Sequence, residues 1–217
     1  DNAMPEEFNR VETDRISDFL FTTEKSGNSN LLEEGISKDK IFFVGNVMID
    51  TLLRHKRKAG QSKILEKLYL GKNDYCTLTL HRPSNVDSKK DFEYILSILG
   101  KIQEKIKVIF PIHPRARKNV TLYGLDDKIK NMKSLVLIEP LGYLDFLCLM
   151  SNSKFVLTDS GGIQEETTVL GVPCITLRKS TERPVTVEQG TNLLVSADKD
   201  KVIEKVISVI EGRADLN

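Results

Sequence analysis

The chain has 217 residues, 40% hydrophobic and 29% charged, which is enough for one medium α/β domain, or one domain plus part of another, and excludes a disordered, collagen-like or disulfide-stapled chain. Thirty-two Lys and Arg against 31 Asp and Glu leave a formal charge of +1, so no global field draws the protein to nucleic acid or to an anionic membrane, and any anion site must be local. The longest apolar runs, Val108–Ile112 and Phe155–Leu157, are strand-length and far from the roughly 20 residues that span a bilayer, and Cys76, Cys148 and Cys174 stand singly in apolar segments, which predicts a soluble cytoplasmic protein with buried reduced thiols and no metal.

The chain opens at Asp1 with Met4 inside it, which reads as the start of a fragment. Phe8, Val11 and Ile16 fall at helical spacing among charges, predicting a helix over Pro5–Asp18. A short strand Phe19–Thr22, a helix Glu24–Gly35 closed by glycine and a strand Ile41–Val44 follow in β-α-β rhythm. Val47–Arg57 is again helical and runs into a Lys- and Gly-rich stretch, so a domain boundary is expected near residues 45–60. Beyond it, strands are predicted at Tyr75–Leu80, Lys107–Ile112, Leu135–Ile138, Phe155–Thr158, Cys174–Leu177 and Leu193–Val195. They alternate with apolar-periodic segments, chiefly Asp91–Lys105, Tyr143–Met150 and Lys201–Glu211. Continuous rather than alternating apolar runs suit strands covered on both faces, and strands separated by helices must cross over right-handedly. The expectation is a Rossmann-like, doubly wound parallel sheet with ligands at the carboxyl ends of its strands.

Three of those strands run into polar clusters: Leu80 into His81-Arg82-Pro83-Ser84-Asn85, Ile112 into His113-Pro114-Arg115, and Thr158 into Asp159-Ser160-Gly161-Gly162. One histidine after a strand is ordinarily a loop residue with a structural hydrogen bond. In a parallel sheet, however, all three clusters face one crevice. After Phe155–Thr158 the turn Ser160-Gly161-Gly162 opens the predicted helix Ile163–Leu170. Glycine lets a ligand approach the main chain, Ser160 either caps the helix or offers its hydroxyl, and the first amides with the helix dipole behind them suit phosphate. The segment is not GxxxxGK[ST], GxGxxG or GxSxG, which weakens ATPase, dinucleotide and serine-hydrolase readings. Glu165 and Glu166 fall in the predicted first turn, where either acid complements the dipole or one accepts both hydroxyls of a ribose. Arg183, in a polar loop after Cys174–Leu177, is placed to add a positive charge, although an isolated loop arginine is ordinarily just solvated. Phe146 is either core or a flank for a flat base.

These residues also carry a resemblance. Met4–Arg10, Val44–Asp50, Leu78–Arg82, Pro111–Pro114, Leu157–Glu166, Leu170–Pro173 and Thr181–Pro184 are similar, in order and spacing over essentially the whole chain, to the non-hydrolysing UDP-N-acetylglucosamine 2-epimerases. The resemblance implies the two-domain fold of the GT-B glycosyltransferases. Residues 1–45 would end the N-terminal domain and 46–74 form an interdomain linker with helices. Residues 75–200 would be the UDP-binding C-terminal domain, and 201–217 a helix returning to the first domain. By position, Glu6 implies acid-base chemistry and His81 the histidine beside the leaving diphosphate. Ser160, Gly161 and Gly162 match the phosphate turn, Glu166 the ribose acid, and Arg183 a UDP-contacting arginine. Leu141, through its backbone, and Phe146 match the uracil frame, and His113 a cleft histidine; Arg82 joins the diphosphate contacts. Pro83-Ser84 departs from the family, many members of which carry a charged residue followed by Glu there, so that carboxylate contact is absent.

The implied reaction inverts carbon 2 of the sugar in UDP-GlcNAc to give UDP-ManNAc by anti elimination of UDP and its return, with no metal or redox cofactor. The ligands are UDP and the two UDP-sugars, and a homodimer is implied for the full-length protein. A hydrolysing relative, a GT-B transferase and a nucleotide-sugar-binding module without turnover stay open beside it.

Overall fold

The computed structural model describes residues 5–196 and 198–214, and side chains from residue 7 onward. The chain divides into two compact units, residues 1–54 and 55–217. The first holds α1 (Pro5–Ile16), β1 (Leu20–Thr22), α2 (Lys25–Glu33) and β2 (Ile41–Phe43). β1 and β2 pair in parallel, Leu20 opposite Ile41 and Thr22 opposite Phe43. Arg10 binds Glu7 and Asp14 on its own helix, both at 2.7 Å, and reaches Glu34 just past α2 at 2.5 Å. Phe19, Phe21 and Phe43 remain more than half exposed. The helix α3 (Val47–Ala59) carries the chain across the division.

The second unit runs α4 (Ile64–Lys67), β3 (Tyr75–Thr79), α5 (Pro83–Val86), α6 (Lys89–Ile102), β4 (Lys107–Pro111), α7 (Pro114–Leu122), α8 (Asp126–Lys130), β5 (Leu135–Ile138), α9 (Tyr143–Ser151), β6 (Phe155–Thr158), α10 (Gly161–Leu170), β7 (Cys174–Leu177), α11 (Pro184–Glu188), β8 (Asn192–Val195) and α12 (Lys199–Ile210). Its six strands are all parallel, ordered β5-β4-β3-β6-β7-β8. The expected doubly wound sheet is therefore present. Every residue of β6 and β7 is buried, as their unbroken apolar runs require of strands covered on both faces.

α6 starts at Ser88, whose hydroxyl accepts from the Asp91 amide at 3.3 Å. It buries Phe92, Ile95, Leu96, Ile98, Leu99 and Ile102, a helical stripe laid on the sheet. α12 buries Val202, Val206 and Val209 and packs on α6, β7 and β8. On the opposite sheet face the Tyr75 hydroxyl donates to the Leu149 carbonyl at 2.6 Å beneath a smaller cluster with Ile109. The helices that sequence reading passes over are short or poorly amphipathic. α7 offers only Ala116 and Val120 as apolar anchors, and starts because Pro114 sits in its first turn and the His113 side chain caps it. No helix among the described residues is long and apolar enough to cross a membrane.

Candidate functional site

Strand order reverses between β3 and β6, which lie side by side with Thr79 opposite Thr158. Their hydroxyls share a hydrogen bond of 2.6 Å at the carboxyl ends. In an open α/β sheet this reversal opens a crevice, because the connections from the two strands leave toward opposite sides. Two of the three polar clusters emerge there.

Asp159 joins them. Its carboxylate is fully buried just past β6. Oδ2 accepts from the amides of His81 at 3.1 Å and Arg82 at 2.9 Å and from the Asn85 side chain at 3.0 Å. Oδ1 shares the His81 amide at 3.2 Å and lies 2.8 Å from His81 Nδ1. Each oxygen of a buried carboxylate needs donors to offset its lost hydration, and this one collects them from the chain leaving β3. The Arg82 guanidinium adds a bond from Nε to the Asp159 carbonyl at 3.1 Å. Sequence reasoning assigns Asp159 no role; the signal available to it is an acid placed between a buried strand and a Ser-Gly-Gly turn.

α10 begins at Gly161, two residues earlier than predicted. Ser160 stands at the N-cap but makes no side-chain cap bond, so of the two roles open to it the capping one is excluded. The early start also moves Glu165 and Glu166 out of the first turn, so complementing the helix dipole is no longer an account of either acid. Glu165 instead pairs with Arg183, Oε1 to Nε at 3.1 Å. Glu166 is 9% exposed; burial pushes its carboxyl above the ordinary range, and a hydrogen bond from Tyr143 opposes that shift.

A side-chain Cβ built on Gly162 would meet no atom within 4 Å, and neither Gly161 nor Gly162 has a positive φ. Neither the packing nor the backbone demands glycine at 162. What a Cβ would obstruct is the open space in front of the helix. Beside that space Glu182 is held by Arg178 through two bonds of 2.6 Å, lies 3.5 Å from Arg82, and is pulled down to about 2 chiefly by the Arg178 bonds. The loop that carries it is anchored from below by Gln164, which is fully buried. Gln164 Oε1 accepts from Thr181 at 2.6 Å and Asn192 at 3.0 Å, and its Nε2 donates to the Ser160 carbonyl at 3.1 Å. From sequence Gln164 is merely a polar helix residue.

The third cluster divides. His113 Nδ1 accepts from the Arg115 amide at 3.2 Å, capping α7, and the Arg115 guanidinium turns away to Asp87 with bonds of 2.8 and 2.7 Å. The His113 ring nevertheless lies 6.1 Å from that of His81. His81, His113, Leu141, Phe146 and Ser160 line one cavity of about 200 Å³. Gly161, Gly162, Arg82, Glu166 and Arg183 are not in its wall; they belong to the helix beside it and the loops around it. The Glu6 side chain lies outside the described residues.

The family model for UDP-N-acetylglucosamine 2-epimerase matches residues 1–217. The chain belongs to this family. Among its members, the UDP-N-acetylglucosamine 2-epimerase of Methanocaldococcus jannaschii is 46% identical over 211 residues, 95% of this chain and 58% of the relative. The UDP-2,3-diacetamido-2,3-dideoxy-D-glucuronate 2-epimerase of Pseudomonas aeruginosa is 37% identical, over 93% of this chain and 55% of the relative. The crystal structure of the M. jannaschii UDP-GlcNAc 2-epimerase in complex with UDP-GlcNAc and UDP superposes with a TM-score of 0.89 at 43% identity, covering all of this chain and 61% of that one. The chain thus spans about three fifths of the length of these family members.

Proposed function

We propose that this chain is the UDP-holding part of an isomerase that interconverts UDP-N-acetylglucosamine and UDP-N-acetylmannosamine for surface polysaccharide precursors. One observation carries the reading: a helix start without a side-chain cap, a carboxylate-oriented histidine and two arginines converge where the sheet reverses its strand order. A diphosphate needs such an array of donors, and the crevice supplies them from three separate chain segments.

Carbon 2 of the sugar is not beside a carbonyl, so its proton cannot leave through an enolate. In the anti elimination a base takes that proton, the C–H electrons become the C1–C2 double bond of 2-acetamidoglucal, and the C1–O electrons depart with UDP. Return of UDP to C1 with a proton to the other face of C2 gives the epimer. Electrons balance without an oxidant. His81, Arg82, Arg183 and the Gly161–Ile163 amides stabilise the charge growing on the diphosphate, where one well-placed donor is worth about 3 kcal/mol. Glu166 receives the ribose hydroxyls, the Leu141 backbone and Phe146 frame the uracil, His113 lines the cleft, and Glu6 moves the proton. The family resemblance supports a cytoplasmic homodimer.

The test is turnover by the full-length enzyme in deuterated water, with UDP titrated calorimetrically into this chain. Deuterium at carbon 2 of both sugars is expected; epimerisation without exchange removes the elimination route. Net release of UDP supports a hydrolysing relative, and UDP binding without turnover supports a binding module. The relative named for a diacetamido uronate sugar favours a second reading, the same inversion on a sugar substituted differently at carbons 3 and 6, and substrate competition decides between the two.

A further inference from the structure

We infer that Asp159 is the positioning residue of this site. Its carboxylate fixes the His81 ring with the proton on Nδ1 and leaves Nε2 for the diphosphate. The role in binding rests on the proposed function; the proton's position rests on geometry alone.

Asp159 is fully buried and its two oxygens do different work. Oδ2 accepts from three N–H groups whose character does not depend on pH: the Arg82 amide at 2.9 Å, the Asn85 side chain at 3.0 Å and the His81 amide at 3.1 Å. Oδ1 shares the His81 amide at 3.2 Å and faces His81 Nδ1 at 2.8 Å. An ionised carboxylate only accepts, so Nδ1 must carry a proton in either charge state of the ring. A neutral ring then presents a lone pair at Nε2, and a protonated ring presents an N–H there. This inverts the preference of free histidine, whose neutral ring mostly carries its proton on Nε2. His113 has the opposite arrangement, because Nδ1 accepts from the Arg115 amide at 3.2 Å. That assigns its proton to Nε2. The two rings, 6.1 Å apart, are therefore set in complementary forms, His81 by a carboxylate remote in sequence and His113 by the amide two residues on.

Asp159→Asn tests this sharply because the site orients the amide. The Arg82 amide and the Asn85 side chain donate to Oδ2 alone, so the asparagine oxygen sits there and keeps the shared His81 amide, and the NH2 turns toward His81 Nδ1. Nδ1 is then forced to accept, and the neutral ring's proton moves to Nε2. A protonated ring, which donates from both nitrogens, no longer fits.

The chain contains three histidines, so long-range ¹H–¹⁵N spectra of the imidazoles resolve each ring. We expect His81 with its proton on Nδ1 in the wild type and on Nε2 in Asp159→Asn, with His113 unchanged. We expect Asp159→Asn to weaken UDP binding about tenfold in calorimetry, and to have less than about a twofold effect in a His81→Ala background. A wild-type His81 protonated on Nε2 overturns the inference, and that result needs no variant to fold. Equal weakening in the two backgrounds also overturns it, because Asp159 would then act through the fold and not through His81. A wild-type chain that binds no UDP sinks the proposed function, while the spectrum still decides the tautomer.

Discussion

Glu166 shows how burial turns a common side chain into a pH-dependent one. Its carboxyl is raised because the folded chain withdraws it from water, with the nearby Glu165 charge adding to the shift and Tyr143 opposing it. Hydroxyl donors from a ribose would favour the ionised form, so binding UDP should release a proton from this group. The sign follows from linkage: affinity is full above the raised pKa and falls as pH drops through it. Calorimetric titrations across mildly acidic pH should show this slope in the wild type. Glu166→Gln should bind more weakly at neutral pH and lack that part of the slope, and identical pH profiles for the two proteins would rule the role out. Glu165, its neighbour in sequence, is engaged with Arg183 at 3.1 Å, so two adjacent acids of identical chemistry have separate environments.

At the scale of the element, α10 does work that its composition does not favour. Glycine at the start of a helix costs conformational entropy, and nothing within 4 Å of a Cβ at Gly162 explains its presence. Gly162→Ala should therefore leave the fold intact or raise its stability by up to about 1 kcal/mol, while UDP affinity falls about tenfold because the methyl group enters the space before the first turn. Thermal melts and titration of the same protein separate the two effects. Retained affinity would mean that nothing approaches the main chain there. Gly190 is the counter-example. A Cβ on it would lie 2.6 Å from the Thr186 carbonyl and from the Thr168 hydroxyl, so packing alone demands that glycine.

Across the whole molecule the two units differ in how completely they bury their strands. β6 and β7 are covered at every position, whereas β1 and β2 form a sheet of two strands among the described residues of this chain and leave Phe21 and Phe43 more than half exposed. A two-stranded sheet is marginal in water. Hydrogen exchange should find the amides of β3 and β6 opening only with global unfolding, and those of β1 and β2 exchanging much earlier; equal protection would contradict this difference in stability.

The amino-acid order alone determined the sequence of strands and main helices, the parallel sheet and the gathering of polar residues at three strand ends, because apolar periodicity and run length are local properties of the chain. Its motifs also determined the family. Only the tertiary structure decided what each polar residue does at those ends: Arg115 is spent on Asp87, Gln164 supports a distant loop, and Asp159 holds a ring 78 positions away. The physical reason is that hydrogen-bond partnership depends on distances of about 3 Å between segments remote along the chain, and no pattern within a single segment encodes those distances.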